Sequence, residues 1–346
     1  MRAAPVHSKK PIKSEEVRLI LKLIAPPPGE DEDEDEDEGH KRKMLSYAVE
    51  QYFYAHIAPQ LPADVGVAKC LAATDDGVLG MLLTDLSELY PLAGGKRASL
   101  SEAQVHGALA WLAKFHAASW STLPDKLEHY VRPPLQETSA RGKKVWLNGG
   151  YTYLATRLSE LADLAADKGS EWCVPFTSKK NGTTVAETVA RALTPRGREV
   201  EVLLHGDVKS ENLFTSKSGK EVAFFDFQYV GIGIGACDLA KLFTCSVPQS
   251  MLATGRIPHE LGMEDGERTL LEEYRRILLE SDPTRMREIP WDEFVRWWET
   301  ALVDWCRFQA SWGFWGNTRW LEARTKAILA DEGWRAWVEK EAEGQI

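Results

Sequence analysis

The sequence has no apolar run that approaches the roughly 18 residues a membrane-spanning helix requires. Its basic start lacks the apolar segment of a secretory signal, although an organelle transit peptide is an open alternative. Cysteine is scarce, since the five residues are scattered and form no Cys-x-x-Cys pair for zinc or redox chemistry. No stretch combines concentrated Lys and Arg with interleaved aromatics. These absences argue against a membrane span, a disulfide framework and a nucleic-acid interface, and they favour a cytoplasmic protein.

The chain does contain enough apolar material for a large core. Its 346 residues are 44% hydrophobic and include 13 tryptophans, which suits one large domain or two lobes. The net charge of −10 is concentrated in residues 30–38, because outside that run of nine acids 43 acids nearly balance 42 bases. We expect residues 26–40 to be a disordered insertion, since such a run repels itself and buries no apolar surface. An acidic tract that docks a basic partner is the alternative.

Hydrophobic periodicity predicts the first structural elements. Residues 17–24 alternate as a half-buried strand does, with three leucines on one face. Residues 43–58 have helical spacing around Glu50. Residues 77–88 are typical of a strand that enters a connector, and residues 101–120 of an amphipathic helix with a capping-box-like serine at its start.

The segment LLHGDVKSENLF, residues 203–214, joins two apolar stretches through a polar loop. A return strand, EVAFFDF, follows the turn KSGK, so a hairpin brings Asp207, Asn212 and Asp226 to one end. Phosphoryl transfer from ATP needs oxygen ligands for Mg²⁺ and a carboxylate that accepts the proton of the attacking hydroxyl. Asp207 would be that base, with Asn212 and Asp226 as metal ligands. The alternative is ordinary turn chemistry without a catalytic role.

Taken together, HGDVKSEN and the following FFDFQYVGIGIGACDLA resemble the catalytic and metal-binding segments of the aminoglycoside phosphotransferase and choline kinase-like family, relatives of protein kinases. The similarity is greatest to the ecdysteroid kinase-like branch. It implies an α+β, bilobal protein kinase-like fold that binds ATP and Mg²⁺. A small sheet-plus-helix nucleotide-binding lobe would occupy residues 1–90, and a larger, mainly helical catalytic and substrate-binding lobe residues 91–346.

The resemblance also implies roles for residues ahead of the loop. Lys22 occupies the place of the lysine that grips the α- and β-phosphates, and Glu50 would pair with it. The segment LLTDL, which includes Thr84 and Asp85, lies where the family has its hinge beside adenine.

Within and after the loop, the resemblance makes His205 a scaffold residue. Asp238 would either fix the catalytic loop by hydrogen bonding or act only as a helix N-cap. Lys209 departs from many small-molecule kinases and resembles the Ser/Thr protein kinases at this position. An ammonium there could reach the γ-phosphate. We therefore place Lys209 with Asp207 in the catalytic set.

The predicted function is ATP-dependent phosphorylation of a hydroxyl on a small molecule. A protein kinase is a weaker alternative, because Gly206 stands where most protein kinases have Arg and Phe227-Gln228 replaces Phe-Gly. A non-catalytic kinase-like binding module is the other alternative. It gains support from the amino-terminal end, where no glycine precedes Gly29 and a two-stranded glycine flap cannot be drawn ahead of Val17. We expect the natural protein to begin further upstream; otherwise the flap is missing.

The acceptor is the least determined part of the prediction. Six tryptophans between residues 297 and 320 would either wall a pocket for an apolar ring or a quaternary amine, or pack in the core. An aminoglycoside-type pocket would instead need clustered carboxylates. The candidates for such a cluster are Asp292, Glu293, Glu299 and Asp304.

Overall fold

The computed structural model describes residues 18–24, 38–74, 79–121, 126–137, 144–282, 284 and 287–344. The acidic residues 30–37 and the segment ahead of residue 18, to which the flap question belongs, lie outside these ranges. The strands are β1 Leu19–Ile24, β2 Cys70–Thr74, β3 Leu79–Thr84, β4 Leu92–Ala93, β5 Lys179–Lys180, β6 Thr183–Thr184, β7 Glu201–Leu204, β8 Leu213–Thr215, β9 Val222–Phe224 and β10 Gly231–Ile234. The helices are α1 Glu38–Tyr52, α2 Glu102–Ser119, α3 Leu158–Ala166, α4 Cys173–Thr177, α5 Val185–Leu193, α6 Ala236–Cys245, α7 Gln249–Leu252, α8 Asp265–Glu280, α9 Trp291–Trp312, α10 Thr318–Ala330 and α11 Glu332–Glu343.

The first lobe is an antiparallel sheet in the order β1-β3-β2 with α1 against it. In this sheet Lys22 pairs with Met81 across the β1–β3 ladder. Met81, Val49 and Phe53 are buried and supply part of the lobe's core. The predicted strand at residues 17–24 is confirmed from Leu19 onward.

The leucine face of β1 is not the buried one. Leu21 and Leu23 are each 61% exposed, whereas the side chain of Lys22 on the opposite face turns toward α1. Alternation predicts that a strand has two faces, but it does not determine which of them another element covers.

Helix α1 begins earlier than the sequence pattern predicts. It starts at Glu38, so the expectation of a disordered insertion through residue 40 is wrong for residues 38–40. Arg42 Nη1 lies 3.0 Å from Glu38 Oε2, one turn away, and an acid at a helix N-terminus interacts favourably with the helix dipole. Beyond Tyr52 the chain continues as a π-helical turn, Phe53–Ile57, within the predicted helical range.

The second lobe is larger and mainly helical. Strand β4 pairs with β8, so the chain has entered this lobe by Leu92, and we propose a lobe boundary near residue 90. Helix α2 begins with the expected capping box, in which Ser101 and Gln104 exchange hydrogen bonds. No helix in the described ranges is long and apolar enough to cross a membrane. The molecule is thus α+β and two-lobed, as predicted.

Two antiparallel pairs of strands frame the polar loop. The β8–β9 hairpin is confirmed, with Leu213 opposite Phe224. The pairing of β7 with β10 was not predicted from the sequence. A Cβ on Gly233 would lie 2.5 Å from Leu204 Cδ1, so a larger residue there would require the buried Leu204 side chain to move. Both pairs converge on the segment between β7 and β8, which therefore has a fixed position.

Candidate active site

Asp207 lies in the loop between β7 and β8 and is held on one side. Its Oδ2 lies 3.0 Å from Lys209 Nζ and accepts a hydrogen bond from Asn212 Nδ2 at 2.9 Å. The same Asn212 amide donates to the Asp207 carbonyl, also at 2.9 Å. Among the described residues none donates to Oδ1. One carboxylate oxygen is thus fixed and the other is available to a ligand.

Lys209 is the charge partner of this loop. Its ammonium lies between Asp207 and Glu211, 3.3 Å from Glu211 Oε1. Burial acts to lower the pKa of Lys209, but the charge and hydrogen bond of Asp207, with contributions from Tyr151 and Glu211, raise it. The side chain therefore stays protonated and offsets part of the negative charge of the two carboxylates.

Asp238 holds the loop between β7 and β8 through hydrogen bonds to its backbone. Its buried carboxylate accepts hydrogen bonds from the backbone N–H groups of His205 at 2.7 Å and Gly206 at 3.0 Å, and it lies 3.3 Å from His116 Nε2. Burial acts to raise the pKa of Asp238, but His116, Lys241 and His205 lower it. The N-cap of α6 is Gly235, so Asp238 is a loop clamp and the N-cap alternative is wrong.

His205 and Gly206 complete the loop's support. The backbone N–H of Asp207 donates to His205 Nδ1 at 3.2 Å, so Nε2–H donates to the Phe225 carbonyl at 3.0 Å. Burial lowers the pKa of His205, and the ring is a neutral scaffold, as the resemblance implied. Gly206 has a φ of 87°, and a Cβ there would lie 2.2 Å from the Tyr229 carbonyl oxygen.

A second group of predicted residues, Lys22, Glu50 and Asp226, comes together where the two lobes meet. Lys22 Nζ lies 2.5 Å from Glu50 Oε2 and 3.6 Å from Asp226 Oδ1. Burial raises the pKa of Glu50, although the charge of Lys22 acts to lower it. Asp226 follows β9 with a φ of 65°, a left-handed conformation that few non-glycine residues adopt. The chain from Glu50 through Lys22 to Asp226 links α1 to the end of the hairpin.

Tyr229 connects the two groups. Burial raises the pKa of Tyr229 to about 12, and the charges of Tyr151, Asp207 and Asp226 also act to raise it. The carboxylates of Asp207 and Asp226 therefore both act on the same phenol.

Thr84 and Asp85 lie apart from these groups, at the end of β3. The Thr84 hydroxyl accepts a hydrogen bond from Lys69 N–H at 2.9 Å, and Asp85 N–H donates to the Arg18 carbonyl at 3.2 Å. The Asp85 carboxylate accepts from Ser87 N–H at 2.8 Å and caps a short 3-10 turn. These groups are bonded within the lobe, so a role in adenine binding stays a prediction for this segment.

A cavity of about 330 Å³ opens beside Asp207 and Lys209. Three of the six tryptophans line it, namely Trp305, Trp312 and Trp315, while Trp297, Trp298 and Trp320 are buried in the core. Both predicted roles of the tryptophans, lining a pocket and packing in the core, therefore occur. A larger cavity of about 400 Å³ lies behind Trp305 and Lys241 and does not include Asp207. Lys241 borders both cavities and was missed from the sequence, although it lies one helical turn after Asp238.

The carboxylates considered for an amino-sugar pocket do not converge. Glu299 pairs with Arg296 at 3.1 Å and Asp304 with Arg307 at 2.8 Å. None of Asp292, Glu293, Glu299 and Asp304 lines the cavity at Asp207. The hypothesis of a carboxylate cluster at this cavity is therefore not supported by the geometry.

The lobes, the clamped loop and the lysine–glutamate pair together define a kinase-like protein. The sequence profile of the ecdysteroid kinase-like family matches residues 4–256, and the chain belongs to that family. It matches none of the curated proteins with which it was compared.

Several solved structures are similar in fold. A macrolide 2'-phosphotransferase from Brachybacterium faecium is 14% identical, with a TM-score of 0.41 over 88% of this chain and 82% of that one. An aminoglycoside phosphotransferase from Streptomyces rimosus, solved with ADP and streptomycin, is 14% identical, with a TM-score of 0.41 over 86% and 87%. A choline/ethanolamine kinase family protein from Mesorhizobium loti is 13% identical, with a TM-score of 0.39 over 94% and 87%.

Proposed function

We propose that this protein transfers the γ-phosphoryl group of ATP to a hydroxyl of a small molecule. The observation that carries the proposal is the state of Asp207. One of its oxygens is held by Lys209 and Asn212, and the other faces no donor among the described residues, at the edge of a cavity of about 330 Å³. A general base needs this combination of fixed orientation and open access.

The residues present suit Mg²⁺ and ATP. Because the Asn212 amide nitrogen is bonded to Asp207, its oxygen points elsewhere and can join the Asp226 carboxylate as a second hard ligand. The described part of the chain contains no cluster of three or more His, Cys, Asp or Glu side chains that would hold a metal alone. Mg²⁺ is commonly held by only one or two protein carboxylates together with substrate phosphates, and Asn212 and Asp226 would supply the protein ligands here. Bound Mg²⁺ would neutralise charge on the phosphate oxygens, and Lys22 would bind the α- and β-phosphates.

The proposed reaction moves one phosphoryl group from an oxygen of ATP to an oxygen of the acceptor. The acceptor oxygen forms a bond to the γ-phosphorus while the bond from that phosphorus to the bridging oxygen breaks, and its electron pair leaves with ADP. Asp207 takes the hydroxyl proton through Oδ1 and later releases it to solvent. Lys209 stays protonated and is positioned to offset negative charge on the transferred group.

The oxidation state of the cysteines is relevant to the cellular compartment of the protein. All five are free thiols, two of them buried. Free thiols support a reducing compartment such as the cytoplasm.

The experiment compares wild type, Asp207→Asn and the matched control Asp163→Asn, whose carboxylate is exposed on α3. ADP formation is followed with a library of small alcohols, and Mg²⁺-ATP binding is measured by thermal shift. We expect Asp207→Asn to keep nucleotide binding and to lose at least about 100-fold in turnover, as for a positioned general base. The control should match wild type.

Unchanged turnover in Asp207→Asn would remove this residue from the mechanism. A wild-type protein that binds Mg²⁺-ATP but phosphorylates no alcohol would favour the alternative of a kinase-like binding module.

A further inference from the structure

The cavity beside Asp207 has an aromatic wall on one side. Trp305 and Trp315 pack edge to face with centroids 5.5 Å apart, and Trp312 stacks on Phe308 at 6.0 Å. Trp312 is 56% exposed although it is one of the largest apolar side chains of the protein. An exposed indole in the wall of a cavity is suited to contact a flat apolar ring.

The lining of this cavity also includes part of a basic turn, residues 94–97, which carries Lys96 and Arg97. This turn is tied to the catalytic loop. Ser210 Oγ donates to the Gly95 carbonyl at 2.9 Å, and Arg97 N–H donates to Glu211 Oε2 at 2.9 Å. At Gly94 the backbones are so close that a Cβ would lie 1.6 Å from the Ser210 carbonyl oxygen. The backbone that carries the two cations therefore has a fixed position relative to the loop of Asp207.

The charge of the cavity is positive. Its lining includes two carboxylates, Asp207 and Glu211, and both lie within ion-pair distance of Lys209. Three more cations line it, Lys96, Arg97 and Lys241. No carboxylate in the described ranges lies within 4.0 Å of the charged groups of these three. Four cations against two anions leave a net charge of +2 on the lining.

This charge decides among acceptor classes. An amino sugar or a quaternary amine would bring positive charge toward Lys96 and Arg97, and like charges in a partly enclosed site repel. An aromatic wall alone would accept a quaternary amine by cation–π contact, but here a cation already occupies that role, since the Arg157 guanidinium lies 5.0 Å from the Trp312 ring.

We propose that the acceptor is a flat apolar alcohol that carries an acidic group. Its ring lies against Trp312 and Trp315, its hydroxyl reaches Asp207, and its carboxylate or sulfonate is bound by Lys96 and Arg97. That this molecule accepts a phosphoryl group rests on the proposed function, whereas its binding in the cavity does not.

The test uses three naphthalenemethanol probes that differ in one ring substituent, a carboxylate, a methyl group or a trimethylammonium group. Binding is measured by calorimetry on the full chain without nucleotide, at low and high ionic strength. We expect the carboxylate probe to bind about tenfold more tightly than the neutral one and the ammonium probe to bind weakest. The difference should shrink at high salt.

The variant Lys96→Gln/Arg97→Asn should abolish the preference for the carboxylate probe and leave binding of the neutral probe unchanged. Asn is chosen because position 97 has a φ of 54°, which Asn tolerates. The matched control is Lys217→Gln/Lys220→Gln, which removes the same charge from an exposed turn and should keep the preference.

The proposal would be overturned if the ammonium probe bound most tightly or if no probe bound at all. It would also be overturned if the Lys96→Gln/Arg97→Asn variant lost Mg²⁺-ATP affinity and kept the preference for the carboxylate probe. The phosphoryl-transfer proposal is tested separately. If the carboxylate probe binds best but no alcohol is phosphorylated, the proposed function fails and the inference about the cavity stands.

Discussion

The substitution Asp238→Asn should lower the stability of the folded protein. The carboxylate is fully buried, and its two oxygens serve three donors, the N–H groups of His205 and Gly206 and the Nε2 of His116. Asparagine keeps one acceptor oxygen and turns an NH₂ group toward at least one of these donors. A buried donor left without an acceptor costs about 1–3 kcal/mol, and the remaining hydrogen bonds lose their charge assistance. We expect a total loss of about 2–4 kcal/mol.

At about 2 °C per kcal/mol for a chain of this size, the melting temperature should fall by about 4–8 °C. Differential scanning calorimetry measures the shift, with Asp163→Asn as the exposed control, which we expect to change the melting temperature by less than about 1 °C. A shift in Asp238→Asn no larger than that of the control would refute the interpretation of Asp238 as the clamp of the catalytic loop.

Two further predictions concern the metal ligands and pH. Asp226→Ala should weaken Mg²⁺-dependent nucleotide binding more than Asn212→Ala, because a carboxylate contributes charge and an amide only a dipole; equal, small effects in calorimetry would contradict both assignments. Burial lowers the pKa of His205, so the unfolded chain binds a proton near pH 6.5 that the folded chain does not. Its contribution to stability is full above that pH and is lost as the pH falls, so the melting temperature of His205→Gln should decline less between about pH 7 and pH 5 than that of wild type. Parallel curves would argue against a neutral, buried imidazole.

The parts of the fold that follow from local pattern were predictable. The hairpin that carries Asp207, Asn212 and Asp226 depends on residues close in sequence, as does the capping box at Ser101. The start of α1 was not predicted, because the acidic composition of residues 30–38 conceals that Glu38 already belongs to the helix and pairs with Arg42.

Contacts between distant segments were the harder part. The β7–β10 pairing joins residues that become neighbours only after the loop has closed, and Gly233 leaves room there for the Leu204 side chain. The basic turn at residues 94–97 meets the catalytic loop more than a hundred residues later, so nothing local marked Lys96 or Arg97 as part of the cavity. Periodicity likewise cannot show which face of β1 is covered.

Both carboxylates of the site lie in the larger lobe, and Asp226 also contacts the smaller lobe. Asp207 is held through Asp238 and its neighbours, all within the larger lobe. Asp226 contacts Lys22 of the smaller lobe, and the next residue, Phe227, stacks on Phe53 just beyond α1 with centroids 3.8 Å apart. A rotation of the smaller lobe would therefore separate Lys22 from Asp226, while the hydrogen bonds that hold Asp207 stay within the larger lobe. Under the proposed roles, the orientation of the base does not depend on the position of the smaller lobe, whereas the contact between the phosphate-binding lysine and the metal ligand does.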